Sequence, residues 1–158
     1  MKPEEKHRQI NEANWNEWAA SFDGSGWRNE FLRRGQIDVI QMLDLKPGVA
    51  LLYIGCGTGY AIGQAVNVVN NKGTFYGVDL SPKMVEKARE NFKGNENVHF
   101  VTASAVSIPL EDNSFDVIIC NHSFHHYLNP AKAVQEMHRL LKPGRKVHIL
   151  DPTAIAGS

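Results

Sequence analysis

Short apolar runs recur along the chain at Val49 to Ile54, Thr74 to Val78, Val98 to Val101, Phe115 to Cys120 and Lys146 to Leu150. Runs of this length that do not alternate with polar residues are the pattern of strands buried on both faces. Segments of helical spacing lie between most of them, and strands alternating with helices predict a parallel sheet joined by right-handed crossovers. Two helix starts are marked locally. Ser81-Pro82 and Asn129-Pro130 each set an N-cap residue before a proline at the first helical position. The second helix carries Ala133, Val134, Met137, Leu140 and Leu141 on one stripe and is expected to stop at Lys142-Pro143-Gly144. Residues 4 to 44 are polar and aromatic, with Trp15, Trp18, Phe22 and Trp27 followed by Phe31, Ile37, Ile40 and Leu43. That spacing predicts two helices separated by Asp23-Gly24-Ser25-Gly26, and Lys46-Pro47-Gly48 breaks the second before the first strand. The tryptophans read as core of these helices, with an aromatic lid over a pocket as the alternative.

Composition narrows the class of partner. The 158 residues suit one compact domain. Seventeen Lys plus Arg balance seventeen Asp plus Glu, so no basic excess exists to grip a nucleic-acid backbone. Met1-Lys2-Pro3-Glu4-Glu5-Lys6 lacks the apolar stretch of a signal peptide, and no run approaches the ~18 apolar residues of a membrane span. The expectation is a soluble, cytoplasmic protein. Cys56 and Cys120 lie far apart, which suits reduced thiols and not a disulfide framework.

The chemistry concentrates after the first two strands. Gly55-Cys56-Gly57-Thr58-Gly59 follows the first strand and precedes the helical stretch Tyr60 to Val69, where backbone N–H groups and the helix dipole can face a ligand. Asp79 follows the second strand, twenty residues beyond Gly59, where a carboxylate can accept hydrogen bonds from both hydroxyls of a ribose. Together they describe an adenosine site. A dinucleotide fingerprint would need its third glycine at position 60, which is Tyr60, so a nicotinamide cofactor is disfavoured.

Three segments carry a family resemblance: Leu-Leu-Tyr-Ile-Gly-Cys-Gly-Thr-Gly (51 to 59), Gly-Val-Asp-Leu-Ser-Pro-Lys-Met-Val-Glu-Lys-Ala-Arg (77 to 89) and Asp-Asn-Ser-Phe-Asp-Val-Ile (112 to 118). They resemble class I S-adenosylmethionine-dependent methyltransferases. Asn121-His122-Ser123-Phe124-His125-His126 and the stretch Ala133 to Asp151 are similar to the ubiquinone/menaquinone-biosynthesis branch. The resemblance implies a three-layer α/β Rossmann-like domain of strand order 3-2-1-4-5, with residues 1–44 as a helical N-terminal lid or extension and 45–158 as the cofactor-binding core. It implies methyl transfer from S-adenosylmethionine to a small-molecule acceptor, without metal. By matching position, Gly55, Cys56, Gly57, Thr58 and Gly59 would hold the methionine end of the cofactor, Asp79 the ribose, and Leu80 and Met84 the adenine face. Ser104 and Ala105 would line the adenine edge, Asn121 and Ser123 would face the methionine portion and the methyl group, and Phe22 matches an aromatic of the lid.

The chain departs from that pattern in three places. Tyr53 stands where the family usually has an acidic residue that helps position the cofactor's ammonium, and Ser104 where it commonly has an aspartate for the adenine amino group. A hydrogen bond to a charged group is worth roughly 1.5–3 kcal/mol, so each change would weaken binding by about ten- to a hundredfold. The chain also stops after the fifth strand, where the family's sheet gains two more. The apolar edge at His148 to Leu150 then predicts a homodimer or strand exchange, unless the chain is a truncated form. These departures support an alternative reading as a non-catalytic S-adenosylmethionine- or S-adenosylhomocysteine-binding module or partner subunit.

The remaining chemistry-bearing residues divide between functional and packing roles. His122, His125 and His126 lack the cysteine or paired carboxylate that would complete a zinc site. His126 is the candidate general base, against a loop histidine packed on a neighbour; methyl transfer depends more on alignment than on a base. Cys56 fits as a small spacer between glycines, with no base nearby to make it a nucleophile.

Overall fold

The computed structural model describes residues 1–18, 27–121, 124 and 127–150, without the side chains at 15, 18 and 27–29. Two N-terminal helices, α1 (Pro3–Trp18) and α2 (Trp27–Met42), precede β1 (Val49–Ile54), α3 (Tyr60–Val68), β2 (Gly73–Asp79), α4 (Pro82–Asn91), β3 (Val98–Thr102), β4 (Phe115–Asn121), α5 (Pro130–Leu140) and β5 (Leu141–Leu150). The sheet order is β3-β2-β1-β4-β5, and every pair is parallel. The order reverses beside β1, between β2 and β4. In an open parallel sheet that is where a crevice opens above the carboxyl ends of the strands.

Because β1 is central, both of its faces are covered. Leu51 and Tyr53 pack with Val39 and Ile40 of α2, Ala61, Ile62 and Ala65 of α3 and Val85 and Ala88 of α4. Leu52 and Ile54 point the other way, into Ile108, Ile118, Ala133, Met137 and Leu140. The period-two reversal of side chains along the strand produces this division. It explains why the run Val49 to Ile54 carries no polar alternation.

The expected caps are present: Ser81 Oγ accepts from the Met84 N–H (3.1 Å) and Asn129 Oδ1 from the Lys132 N–H (3.1 Å). Without these oxygens, N–H groups of each first turn would lack partners. One boundary differs from expectation. The helix stops at Leu140, and the fifth strand begins at Leu141, five residues earlier than the apolar run suggested. Leu141 is already extended (φ −82, ψ 135) and pairs with Phe115. Lys142, preceding Pro143, is pushed toward extended backbone by the proline ring, and the register shift between Phe115 and Val117 absorbs the intervening Pro143 and Gly144.

Candidate functional site

The turn after β1 uses glycine for its shape. Gly55, Gly57 and Gly59 all have positive φ (76, 55 and 92), a region that costs other residues about 1–2 kcal/mol. At Gly59 a Cβ would also lie 2.7 Å from Phe92 Cε2 and 3.1 Å from Phe100 Cζ. The absence of a side chain there is thus required by the protein's own core. The turn's N–H groups are largely spent internally as well: Gly55 and Cys56 donate to the Val78 carbonyl (2.7 and 3.0 Å), Gly59 to the Cys56 carbonyl (3.0 Å), and Gly57 to Asp79 Oδ2 (2.9 Å). The sequence suggested that these groups face a ligand. The N–H groups of Gly55, Cys56, Gly57 and Gly59 are bonded within the protein, while the N-terminus of α3 has no side-chain cap.

Asp79 ends β2 beside this turn. Oδ2 takes the Gly57 N–H, and Oδ1 takes the Ser81 N–H at 2.9 Å. Burial raises its carboxyl above the ordinary value, and the N–H groups of Ser81, Gly57 and Leu80 pull in the opposite direction. Each carboxylate oxygen retains acceptor capacity after one such bond. The carboxylate therefore sits at the topological switch point, oriented by backbone and able to receive further donors. Ser81, the α4 cap, also donates to Asn16 Oδ1 of α1. Asn16 was not singled out from the sequence, where an asparagine within a polar helix carries no local signal.

The rest of the implied site is distributed around this centre. Met84 is fully buried at the start of α4, and Leu80 is half-buried. Ser104 and Ala105 lie just past β3, which the Ala103 N–H ties to the Asp79 carbonyl (3.0 Å). Ser104 Oγ already accepts from the Val106 N–H (3.4 Å), within a narrow bridge to Ser107. This loop is anchored from α5. Arg139 donates to the Ile108 and Leu110 carbonyls (2.8 Å each) and to Asp112 (2.7 Å), while Glu136 pairs with Arg139 and accepts from the Ile108 N–H. Glu136 and Arg139 are a second feature that sequence inspection missed.

Asn121 ends β4 and is 5% exposed. It lies two residues beyond Ile119, the β4 partner of Tyr53, and so on the same face of the sheet. The Tyr53 side chain is completely buried. Burial pushes its phenol well above the ordinary value, and the nearby Asn121 amide offsets part of that rise. Beyond this contact with each other, neither Tyr53 OH nor Asn121 Nδ2 has a hydrogen-bond partner among the described residues; Gln36 Oε1 is the third unpartnered atom. An unsatisfied buried polar group costs about 1–3 kcal/mol, so these positions call for a functional account.

Cys56 is buried, and desolvation lifts its thiol well above the ordinary value, the reverse of an activated nucleophile. Ser123, His122, His125, His126 and Phe22 lie outside the described residues. Among the described residues no group of three or more His, Cys, Asp or Glu could hold a metal, and no helix is long and apolar enough to cross a membrane.

Residues 52–149 match the family described as "Methyltransferase domain". The chain is 32% identical over 129 residues to a demethylmenaquinone methyltransferase of Desulfitobacterium hafniense, an alignment that spans 80% of this chain and 48% of that protein. It is 32% identical over 114 residues to an uncharacterized 37.1 kDa transposon protein of Streptomyces fradiae, over 72% of this chain and 33% of that protein. The chain thus spans about a third to a half of the length of these two curated relatives. Among solved structures, a SAM-dependent methyltransferase from Aquifex aeolicus superimposes with a TM-score of 0.67 at 31% identity, covering 73% of this chain and 63% of that one. A [4+2]-cyclase, SpnF, superimposes with a TM-score of 0.68 at 28% identity, covering 80% and 46%. With the family matched across the sheet, the glycine turn and the Asp79 strand end, the chain belongs to the class I S-adenosylmethionine-dependent methyltransferases.

Proposed function

We propose that this chain binds S-adenosylmethionine at the carboxyl ends of β1, β2 and β4 and promotes transfer of its methyl group to a small-molecule acceptor by in-line displacement. The observation that carries the reading is the Asp79 carboxylate, fixed by the Gly57 and Ser81 N–H groups and still able to accept the two ribose hydroxyls. The residues present fit the cofactor. The turn Gly55, Cys56, Gly57, Thr58, Gly59 and the start of α3 would border its methionine end, Leu80 and Met84 the adenine face, and Ser104 and Ala105 the adenine edge. Asn121 and Ser123 would face the methyl-bearing sulfur. When bound, the cofactor supplies an electrophilic methyl group on a sulfonium leaving group. The protein's part is to hold that end against the β1 and β4 strand ends, align the acceptor and exclude water. His126 is the candidate to hold an acceptor proton. The quinone-type acceptors named for the relatives are the first to test.

Calorimetric titration with S-adenosylhomocysteine, and separately with S-adenosylmethionine, tests the reading. Micromolar binding that Asp79→Ala weakens at least tenfold supports it; no binding up to millimolar ligand refutes it. A second reading, an adenosyl-ligand-binding module without methyl transfer, is favoured by the neutral Tyr53 and by the occurrence of a cyclase on the same fold. Tight binding with no cofactor consumption against any acceptor would select it.

A further inference from the structure

We infer that Tyr53 and Asn121 form a two-donor clamp for the carboxylate of the ligand's amino-acid end, so that this site recognises its adenosyl ligand by negative charge where the family places an acid for the ammonium. The inference rests on the proposed adenosyl site. It begins from the two orphaned atoms. Tyr53 OH and Asn121 Nδ2 are buried, lie on the same face of adjacent strands close enough to touch, and have no partner beyond each other among the described residues, which leaves the phenol proton and one amide proton to give. Two polar groups left unsatisfied side by side in a core are a liability to folding that an arriving ligand atom can remove.

The chemistry of the pair fixes what that atom must be. An amide NH2 can only donate, and the neutral phenol has a proton to give; its burial keeps it protonated at any physiological pH. Two convergent neutral donors suit an anionic oxygen, which forms the shorter and stronger charge-assisted bonds. To an ammonium they offer only neutral acceptors, the phenol oxygen and the amide Oδ1. Placement agrees: Asn121 is at the carboxyl end of β4, and Tyr53 is two residues before the glycine turn. The amino-acid end of an adenosyl ligand whose ribose rests on Asp79 would reach this part of the crevice. Gln36 Oε1 is an orphaned acceptor on α2, one turn before Ile40, which packs in the cluster that holds Tyr53. It takes no part in the clamp.

The test is calorimetry on the whole chain with three ligands: S-adenosylhomocysteine, its decarboxylated amine analogue and its deaminated acid analogue. Losing the carboxylate is expected to weaken binding at least tenfold, and losing the ammonium less than threefold. Tyr53→Phe is expected to weaken both carboxylate-bearing ligands about tenfold and leave the decarboxylated amine unchanged. The same substitution should raise the melting temperature of the ligand-free protein, because it removes an unpaired buried hydroxyl and leaves the ring. A purely structural tyrosine would not move stability and affinity in opposite directions. Asn121→Asp is expected to reverse the preference, so that the decarboxylated amine binds more tightly than S-adenosylhomocysteine. The inference is overturned if deleting the ammonium costs more than deleting the carboxylate, or if Tyr53→Phe leaves S-adenosylhomocysteine affinity unchanged. Failure of all three ligands to bind overturns the underlying adenosyl-site reading, and the clamp with it.

Discussion

Replacing Gly59 by alanine separates the demands of backbone and core at the centre of the site. Gly59 sits at φ +92, which costs an alanine about 1–2 kcal/mol. Its new Cβ would also overlap Phe92 Cε2 at 2.7 Å and crowd Phe100 at 3.1 and 3.3 Å. Those two rings already pack against each other with centroids 5.4 Å apart, so neither can retreat freely. Overpacking of this kind costs typically 1–3 kcal/mol. The sum, about 2–5 kcal/mol, is a large share of a domain's total stability of roughly 5–15 kcal/mol and corresponds to a melting-point loss of roughly 4–20 °C. Urea denaturation of three variants resolves the parts. Gly94→Ala has a similar φ of +90 with nothing within 4 Å, so it reports the backbone cost alone. Gly63→Ala lies within α3, where its Cβ meets the Phe92 ring at ordinary contact distances, Cζ at 3.4 Å and Cε1 at 4.0 Å; better helix propensity should stabilise it by up to about 1 kcal/mol. The expected order of stability is Gly63→Ala, wild type, Gly94→Ala, Gly59→Ala. A Gly59→Ala variant no less stable than Gly94→Ala would refute the packing argument.

Other substitutions probe the site's support. Because burial raises the Asp79 carboxyl in the free protein and ribose hydroxyls need the ionised form, S-adenosylhomocysteine affinity is expected to fall as pH drops through that raised value. Asp79→Asn should remove this part of the pH dependence, and calorimetry between neutral and mildly acidic pH reads it. The same shift means that Asp79 holds its proton more tightly folded than unfolded, so its contribution to stability grows as pH falls from the folded toward the unfolded value. Arg139→Lys is expected to destabilise by about 1–3 kcal/mol in urea, beyond the 0–1 kcal/mol of an exposed ion pair, because an ammonium cannot span the Ile108 and Leu110 carbonyls together. The Arg139 guanidinium first, and then the Ile108 N–H, hold Glu136 below its ordinary pKa. Its contribution is therefore present above the unfolded value and lost as pH falls through the depressed folded value, and Arg139→Met should flatten that acid limb of a stability profile. Asn16→Ala is expected to speed amide exchange in α1 and leave the sheet unchanged, since Asn16 ties that helix to the Ser81 cap.

Local signals were readable from the chain, and distant ones were not. Ser81-Pro82 and Asn129-Pro130 announce their helices because cap and proline act on the nearest turn. The apolar runs marked the strands, and their order was legible through the family resemblance that the glycine turn and the segments after it carry. The Gly55 to Gly59 turn and Asp79 were legible as a pair through their positions after consecutive strands, and the Gly57 to Asp79 hydrogen bond joins them. The internal use of the turn's N–H groups was not legible, because it depends on the Val78 carbonyl of a neighbouring strand. Contacts across 28 to 31 residues, as from α5 to Ile108, and across 65, as from Asn16 to Ser81, leave no periodicity to read. The early start of β5 was hidden by Lys142-Pro143-Gly144, which looks like a stop and is accommodated by a shift of register. Tyr53 stands out in the sequence as a departure from the family's acid, but only its complete burial beside Asn121 shows that its hydroxyl has no partner beyond that amide among the described residues.

The Arg139 anchor also bears on the order in which the molecule matures. Arg139 lies 31 residues after Ile108 and 29 after Leu110, whose carbonyls it holds. A chain emerging from the ribosome N-terminus first can pair β1, β2 and β3 and close the glycine turn on Asp79 while α5 is still unmade. The segment bearing Ser104 and Ala105 has no such option: its fastenings to Glu136 and Arg139 do not yet exist. Nascent chains arrested before residue 139 would thus carry the Gly57–Asp79 pairing without a fixed Ser104–Ala105 segment, which makes α5 the step at which that segment becomes rigid.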